Sequence, residues 1–174
     1  LRDAGLTWSD LDAIAFGSGP GAFTGLRTAC SVTQGLALGA DCPVIVLDTL
    51  MAVAEDARQQ APQGCVPGDV VWVLQDARME ELYVGAFTWD GTDWQVAQAA
   101  QLWPLTEPVA RWGQGSPNTV PGLRLCGNAL QAYPERFAPL WPQGAAVLGE
   151  TTAAPRASAL AALAQRAWAR GETV

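Results

Sequence analysis

Three stretches combine residue types that can do chemistry. The first is Ala13–Gly39, AIAFGSGPGAFTGLRTACSVTQGLALG, where Gly17, Gly19 and Gly21 surround Pro20 between a short apolar run and a long segment of helical character. Free backbone N–H groups at such a loop and at the helix start that follows it can cradle a phosphate. The second is Asp76-Ala77-Arg78-Met79-Glu80-Glu81-Leu82-Tyr83, whose mixed charges could form a catalytic cluster. The third is Leu125-Cys126-Gly127-Asn128-Ala129, a second strand–glycine–helix junction that could also face a phosphate.

Each has a plainer reading beside it. A dinucleotide fingerprint can be laid on Gly17-x-Gly19-x-x-Ala22, but Pro20 falls inside it and no acidic residue clearly ends a following strand at the expected distance. A Walker loop needs a lysine, and the chain has none. A tight turn without a ligand is the third reading of the same residues. For the charged stretch, the alternative is a hairpin held by Asp76–Arg78 or Arg78–Glu81 contacts. The Gly127 junction has a single glycine and makes little provision for close backbone approach. Arg27 falls in the first helical turn, where the helix dipole disfavours a cation. Either a nearby anion, a partner's carboxylate or a phosphate, offsets that cost, or the side chain lies out in water.

Absent residue types narrow the chemistry. The chain contains no histidine. This removes a Ser-His-Asp triad, a Cys-His pair and histidine metal ligands from its own repertoire. Without lysine, Schiff-base chemistry is also out. Cys30, Cys42, Cys65 and Cys126 form no C-x-x-C pair and no zinc spacing, so a reducing cytoplasm is expected and no metal site. Formal net charge is −7, and the ten basic residues are scattered arginines. That is no nucleic-acid footprint, so any RNA would have to be held through a partner. No apolar run reaches the roughly 18–20 residues of a membrane span, and no membrane partner is expected.

The elements that position these stretches follow from pattern. The length, 174 residues, suits one large domain or two small lobes, and 49% hydrophobic against 16% charged residues is a folding composition. Thr7 and Asp10 mark a capped turn over Leu6–Leu11. Ala13–Phe16 reads as a covered strand, and Thr24 as the cap of the helix after the loop. Gly25 would let another backbone come close. Leu26, Ala29, Cys30, Leu36 and Ala37 fall at helical spacing, and the opposite side carries Val32, Gln34 and Leu38. Arg27 is the one charge before Asp41, so this helix is predicted to be covered on both sides, in part by its own sheet and in part by another lobe or chain. Val44–Leu47 reads as a second strand, and Asp48 or Thr49 caps a helix to Gln60 with Leu50, Val53, Ala54 and Ala57 on one face. Strand, helix, strand, helix implies a parallel sheet with right-handed crossovers. Ala61–Gly68 breaks the pattern and divides residues 1–62 from 63–174.

Beyond the break the period is two. Val70–Gln75, Leu82–Trp89 and Trp94–Leu102 are predicted as an antiparallel meander with a hairpin turn at Asp90-Gly91. A Pro/Gly-rich stretch from Pro104 to Gly122 holds one short helix at Glu107–Trp112. Leu123–Cys126 and Ala145–Leu148 are further short strands, with a helix ending at Pro134 between them. Pro155 is placed in the first turn of the last helix, whose stripe Leu160, Leu163, Ala164, Ala167, Trp168 is core packing.

GSGPGAFTGLRTA closely resembles the GPGSFTGLR motif of the TsaB (YeaZ) family of tRNA threonylcarbamoyladenosine biosynthesis proteins, with Ala22 in place of the usual serine. Asp76, Arg78, Glu81 and Tyr83 resemble the D-A-R-x-x-E-x-Y segment that opens the family's second lobe. The Gly127 turn with Tyr133-Pro134-Glu135 after it, and Pro155-Arg156-Ala157, extend the likeness along nearly the whole chain. The resemblance implies an α/β, two-lobed actin-like ATPase (RNase H-like) fold without a strong catalytic site, and a first lobe that lacks its opening strands. That lobe is expected to be the less stable of the two. It implies a scaffold role beside a TsaD-like catalytic subunit and a TsaE-like ATPase, with tRNA reached only through the complex. It further implies no cofactor of the chain's own, ATP or ADP entering only with the complex, and a homodimer able to use the same surface. The interface expected from it is Phe23, Thr24, Leu26, Arg27, Ser31, Val32, Gln34 and Leu38, beside the motif loop Gly19, Pro20, Gly21 and Gly25. The rival expectation is an independent nucleotide-binding enzyme of the sugar-kinase/actin-like superfamily. A peptidase is argued against by the missing histidines.

Overall fold

The alternating apolar runs produce two sheets. In the computed structural model, which describes residues 1–114 and 122–174, β1 (Ile14–Gly17) and β2 (Val44–Leu47) pair in parallel, with Ile14 opposite Val44 and Gly17 opposite Leu47. The crossover between them is α1 (Phe23–Ala40). Asp48 caps α2 (Thr49–Gln60) by accepting the N–H groups of Leu50 at 2.7 Å and Met51 at 3.0 Å. The predicted Thr7–Asp10 capping turn is also present.

The second sheet contains β3 (Val70–Arg78), β4 (Glu81–Trp89), β5 (Trp94–Pro104), β6 (Arg124–Cys126) and β7 (Ala146–Val147) in the order β5-β4-β3-β6-β7. The meander is antiparallel, and β6 and β7 add to it in parallel. α3 (Glu107–Trp112) follows β5, and the chain between β6 and β7 carries α4 (Ala129–Ala132) and α5 (Pro134–Phe137). Pro134 stops one helix and starts the next, where its missing N–H is harmless. The last helix, α6 (Ala157–Ala169), returns to the first sheet and packs on β1, β2 and α2. The expected segment Pro104–Gly122 lies partly outside the described residues.

Helix α2 is the hub of the larger core. Leu50, Val53, Ala54 and Ala57 are buried as their spacing predicted, and they meet Val71, Val73, Phe87 and Trp89 of the second sheet. The other sides of α2 are covered too, which places Glu55 and Asp56 inside the protein. Glu55 accepts from Arg58, Gln59 and, at 2.8 Å, the indole Nε1 of Trp94. Hydrogen bonds to a buried charge contribute more than neutral ones. Trp94→Phe keeps the ring and removes the donor, so a loss of about 2 kcal/mol is expected, read as a lower urea midpoint.

Several sequence expectations need correction. Helix α1 begins at Phe23 with Ala22 as its N-cap, so Thr24 is inside the helix and caps nothing. Within this chain α1 is covered on one side, where Thr33 and Ala37 are its buried residues, and among the described residues no second lobe closes over its other side. A β-carbon at Gly25 would meet no atom within 4 Å among the described residues, so the close backbone approach expected there is not made by them. Pro155 precedes the cap Arg156 and lies outside α6. Trp168 is 45% exposed because α6 turns it past the edge of the core. Strands β3 and β4 run further toward each other than predicted, leaving Met79 and Glu80 as the turn.

Candidate functional site

The glycine loop is stapled to the start of α2. Gly19 N donates to Thr49 Oγ1 at 2.9 Å, Thr49 N donates to Gly19 O at 2.9 Å, and Ser18 N donates to Leu47 O at 2.8 Å. Gly19 has φ +118°, and a β-carbon there would come within 3.0 Å of Leu26 Cδ1. The left-handed backbone is what favours glycine, while the Leu26 methyl could give way by a few tenths of an ångström. The Gly19–Pro20 peptide is cis. Gly25 is the loop motif's last glycine and sits in the first turn of α1.

Across a cleft of about 180 Å³, Pro20, Gly21, Ala22 and Thr49 face Gln75, Asp76 and Tyr83. Two segments more than fifty residues apart in sequence therefore line one site. A groove of about 320 Å³ continues behind the loop, walled by Leu26, Pro155 and Leu160. Asp76 is fixed from three directions. Its Oδ1 accepts from Arg78 N at 2.9 Å and Tyr133 Oη at 3.1 Å, its Oδ2 lies 3.4 Å from Arg78 Nη1, and its own N–H donates to Asn128 Oδ1 at 2.9 Å. The bond to Asp76 pushes the Tyr133 phenol above its ordinary pKa, because the hydroxyl proton is held by a carboxylate. Arg78, Met79 and Glu80 all have left-handed backbone, with φ of 68°, 55° and 58°. Such a run is strained for residues with a β-carbon. Glu81 pairs with Arg78 in the ladder, but their side chains form no ion pair among those of the described residues.

Gly127 has φ +110°, and a β-carbon would lie 2.3 Å from Leu74 O. The packing of β6 on β3 alone therefore demands this glycine, which is the turn reading of the junction. Burial pushes the Cys65 and Cys126 thiols above their ordinary pKa, so neither is an available thiolate at neutral pH. Among the described residues no group of three His, Cys, Asp or Glu side chains could hold a metal ion.

The second surface is α1 itself. Phe23 is 66% exposed, Val32 53% and Leu38 86%, and Thr24, Arg27, Ser31 and Gln34 are exposed with them. Leu26 is the exception and turns toward the loop. The Arg27 guanidinium stacks on the Phe23 ring at 3.9 Å. This is a third outcome beside the anion and the open water, and a cation over an aromatic face is attracted to its quadrupole. Trp8, which sequence reasoning passed over, stands 50% exposed next to Gly35, Leu36 and Gly39 of α1. A tryptophan in an otherwise polar turn was the available signal.

Two sheets with helices packed on them, and a glycine loop facing a polar hairpin across a cleft, are mixed α/β architecture consistent with the actin-like (RNase H-like) class. The family model described as TsaD, tRNA N6-adenosine threonylcarbamoyltransferase, matches residues 1–168. The tRNA threonylcarbamoyladenosine biosynthesis protein TsaB of Haemophilus influenzae is 43% identical over 83 residues, which is 48% of this chain and 33% of that protein. TsaB of Escherichia coli is 41% identical over 83 residues, 48% of this chain and 34% of that protein. The match thus spans about a third of the length of these curated relatives. A crystal structure of an uncharacterized Pseudomonas aeruginosa protein with similarity to peptidase YEAZ superposes with TM-score 0.79 at 34% identity, covering 99% of this chain and 73% of that one. YeaZ from Pseudomonas aeruginosa gives TM-score 0.77 at 32% identity, covering 99% and 74%. The chain belongs to the TsaB (YeaZ) family.

Proposed function

We propose that this protein serves tRNA threonylcarbamoyladenosine biosynthesis as a non-catalytic scaffold that binds a TsaD-like catalytic subunit through α1. The observation that carries the reading is the exposure of α1 around its outward half, where Phe23 and Leu38 on one side and Val32 on the other stand in water on a helix whose one charge is stacked on a ring. Exposed large apolar side chains on such a face suit a protein interface, and aromatic and arginine residues anchor interfaces. Family membership supports this reading of the pathway and of the kind of partner. A TsaE-like ATPase joins the assembly, a homodimer competes for the same face, and tRNA is held through the complex, since this chain carries a net charge of −7. The protein needs no cofactor of its own, and ATP or ADP enters with the assembled complex. Its workplace is the cytoplasm. Among the described residues no helix is long and apolar enough to cross a membrane.

Leu38→Glu and Val32→Glu test the proposal. Both positions are exposed, so folding should be unchanged, while a charge buried against an apolar partner should weaken binding at least about a hundredfold. Sedimentation and pull-down with the TsaD-like subunit read the effect. Unchanged pairing with both variants moves the interface elsewhere.

A further inference from the structure

We propose that the cleft between the glycine loop and the β3–β4 hairpin binds a small organic cation, with a primary ammonium head on Asp76 and an apolar stem along the groove behind the loop. The cleft of about 180 Å³ and the groove of about 320 Å³ share Pro20, Gly21, Ala22, Thr49 and Pro155 as walls, so they adjoin along one channel. Small-molecule sites are commonly of roughly 300–1,000 Å³, mostly apolar, with a few polar groups converging at one place. Here Leu26, Pro155 and Leu160 form the apolar end, and Thr49, Gln75, Asp76 and Tyr83 the polar one.

Asp76 sets the sign of the ligand. Among the described residues it is the one charged side chain lining either space, and that side chain is 9% exposed. Its Oδ1 is taken by Arg78 N and Tyr133 Oη, whereas Oδ2 accepts no hydrogen bond among the described residues. The Arg78 guanidinium 3.4 Å from Oδ2 is 87% exposed, and an ion pair so open to water contributes little. A carboxylate largely cut off from water thus keeps an unused acceptor, and a cation with N–H donors supplies both the charge and the bond it lacks. With one oxygen available, a compact ammonium suits it better than a guanidinium, whose fork engages both oxygens of a carboxylate. The start of α1 by itself would attract an anion, but no arginine lines the channel, and a phosphate there would be repelled by Asp76.

The rest of the polar end also has hydrogen-bonding capacity to spare. Thr49 Oγ1 accepts from Gly19 N, and Gln75 Oε1 accepts from Asn128 N at 3.3 Å. Among the described residues the Tyr83 hydroxyl and Gln75 Nε2 have no hydrogen-bond partner, and neither is sealed from solvent. Both residues line the cleft beside Asp76. The hydroxyl oxygens of Tyr83 and Thr49 can accept further N–H groups of the same ammonium, which has three to give.

Amide chemical shifts of the full chain, titrated with n-butylammonium chloride, read the site. The resonances of Gly21, Ala22, Asp76 and Tyr83 should move together and saturate. Ammonium chloride has the head without the stem and n-butanol the stem without the charge, so each should bind at least about tenfold more weakly. ATP should leave these resonances in place. Asp76→Asn should weaken n-butylammonium binding at least about tenfold. Because Asp76 also holds the hairpin, Ala22→Leu is the second test: it fills the cleft from the facing wall, leaves the carboxylate intact and should abolish binding. The site is overturned if n-butylammonium gives no saturable shift at these residues, if n-butanol or ammonium matches it, if either variant binds it as tightly as the wild type, or if ATP displaces it.

Discussion

Replacing Arg156 by alanine is expected to cost about 3 kcal/mol of folding stability. The reason is what it leaves behind. Asp56 sits on α2 with 3% of its surface exposed, and its Oδ2 accepts from Gln60 Nε2 at 2.9 Å, from the Ala154 N–H at 3.0 Å and from Arg156 Nη1. Without the guanidinium, a carboxylate cut off from water keeps two neutral donors and loses its counter-charge. Only Asp56 of this pair is buried, Arg156 being half exposed, and removing the partner of a buried charge is more damaging than the pair is stabilising, because the stranded charge remains desolvated. Arg156→Lys should recover part of the loss, since it restores charge without the two-pronged reach to Asp56 and Thr152 O. Urea unfolding of both variants measures this. A loss below about 0.5 kcal/mol for the alanine variant would show that Asp56 finds solvent by a small movement of the loop.

Acid is expected to remove a comparable amount through Glu55. Desolvation alone would raise its pKa, but the hydrogen bonds from Arg58, Trp94 and Gln59 and the charge of Arg166 outweigh it, and the carboxyl is held down at about 2 against an ordinary 4.5. The folded state therefore favours the charged form. The associated stability is complete above pH 4.5 and is lost as the pH falls from there toward 2. A displacement of that size corresponds to roughly 3 kcal/mol. Glu55→Gln should be less stable at pH 7 and should flatten the pH dependence over this window. If the two proteins lose stability in parallel between pH 5 and 2, the carboxylate is not the acid-sensitive group.

Much of the architecture was legible because local pattern and final environment agree. The alternation in Val70–Gln75 and Leu82–Trp89, the Asp90-Gly91 turn and the helix Glu107–Trp112 all appear as the sequence predicts. The contiguous glycine motif carries the family resemblance by itself. What stayed hidden depends on contacts between distant residues. Glu55 and Asp56 look like the solvent side of an amphipathic helix, and beside the local Arg58 it takes Trp94, Arg156 and Arg166, far along the chain, to complete the partners that make their burial tolerable. The meeting of Pro20 and Gly21 with Asp76 and Tyr83 is likewise a property of how the lobes close. Thr24 misled because a good capping residue one turn-position too late still reads as a cap, while the backbone of Ala22 is the one that leaves the helix.

The return of α6 to the first sheet has a consequence for how the chain folds as it is made. Translation delivers β1, α1 and β2 early, yet the helix that roofs them begins at Ala157. Contacts this distant in sequence form late, because a long loop must close before they contribute. On the ribosome, the β3–β4–β5 meander, built from neighbouring strands, can therefore assemble before the segment that precedes it. The β1–β2 unit must wait with Ile45 uncovered until α6 has emerged. In such an interval exposed strands are prone to wrong partners, so the stretch of synthesis between the emergence of residue 47 and that of residue 169 is one in which this sheet is open to mispairing.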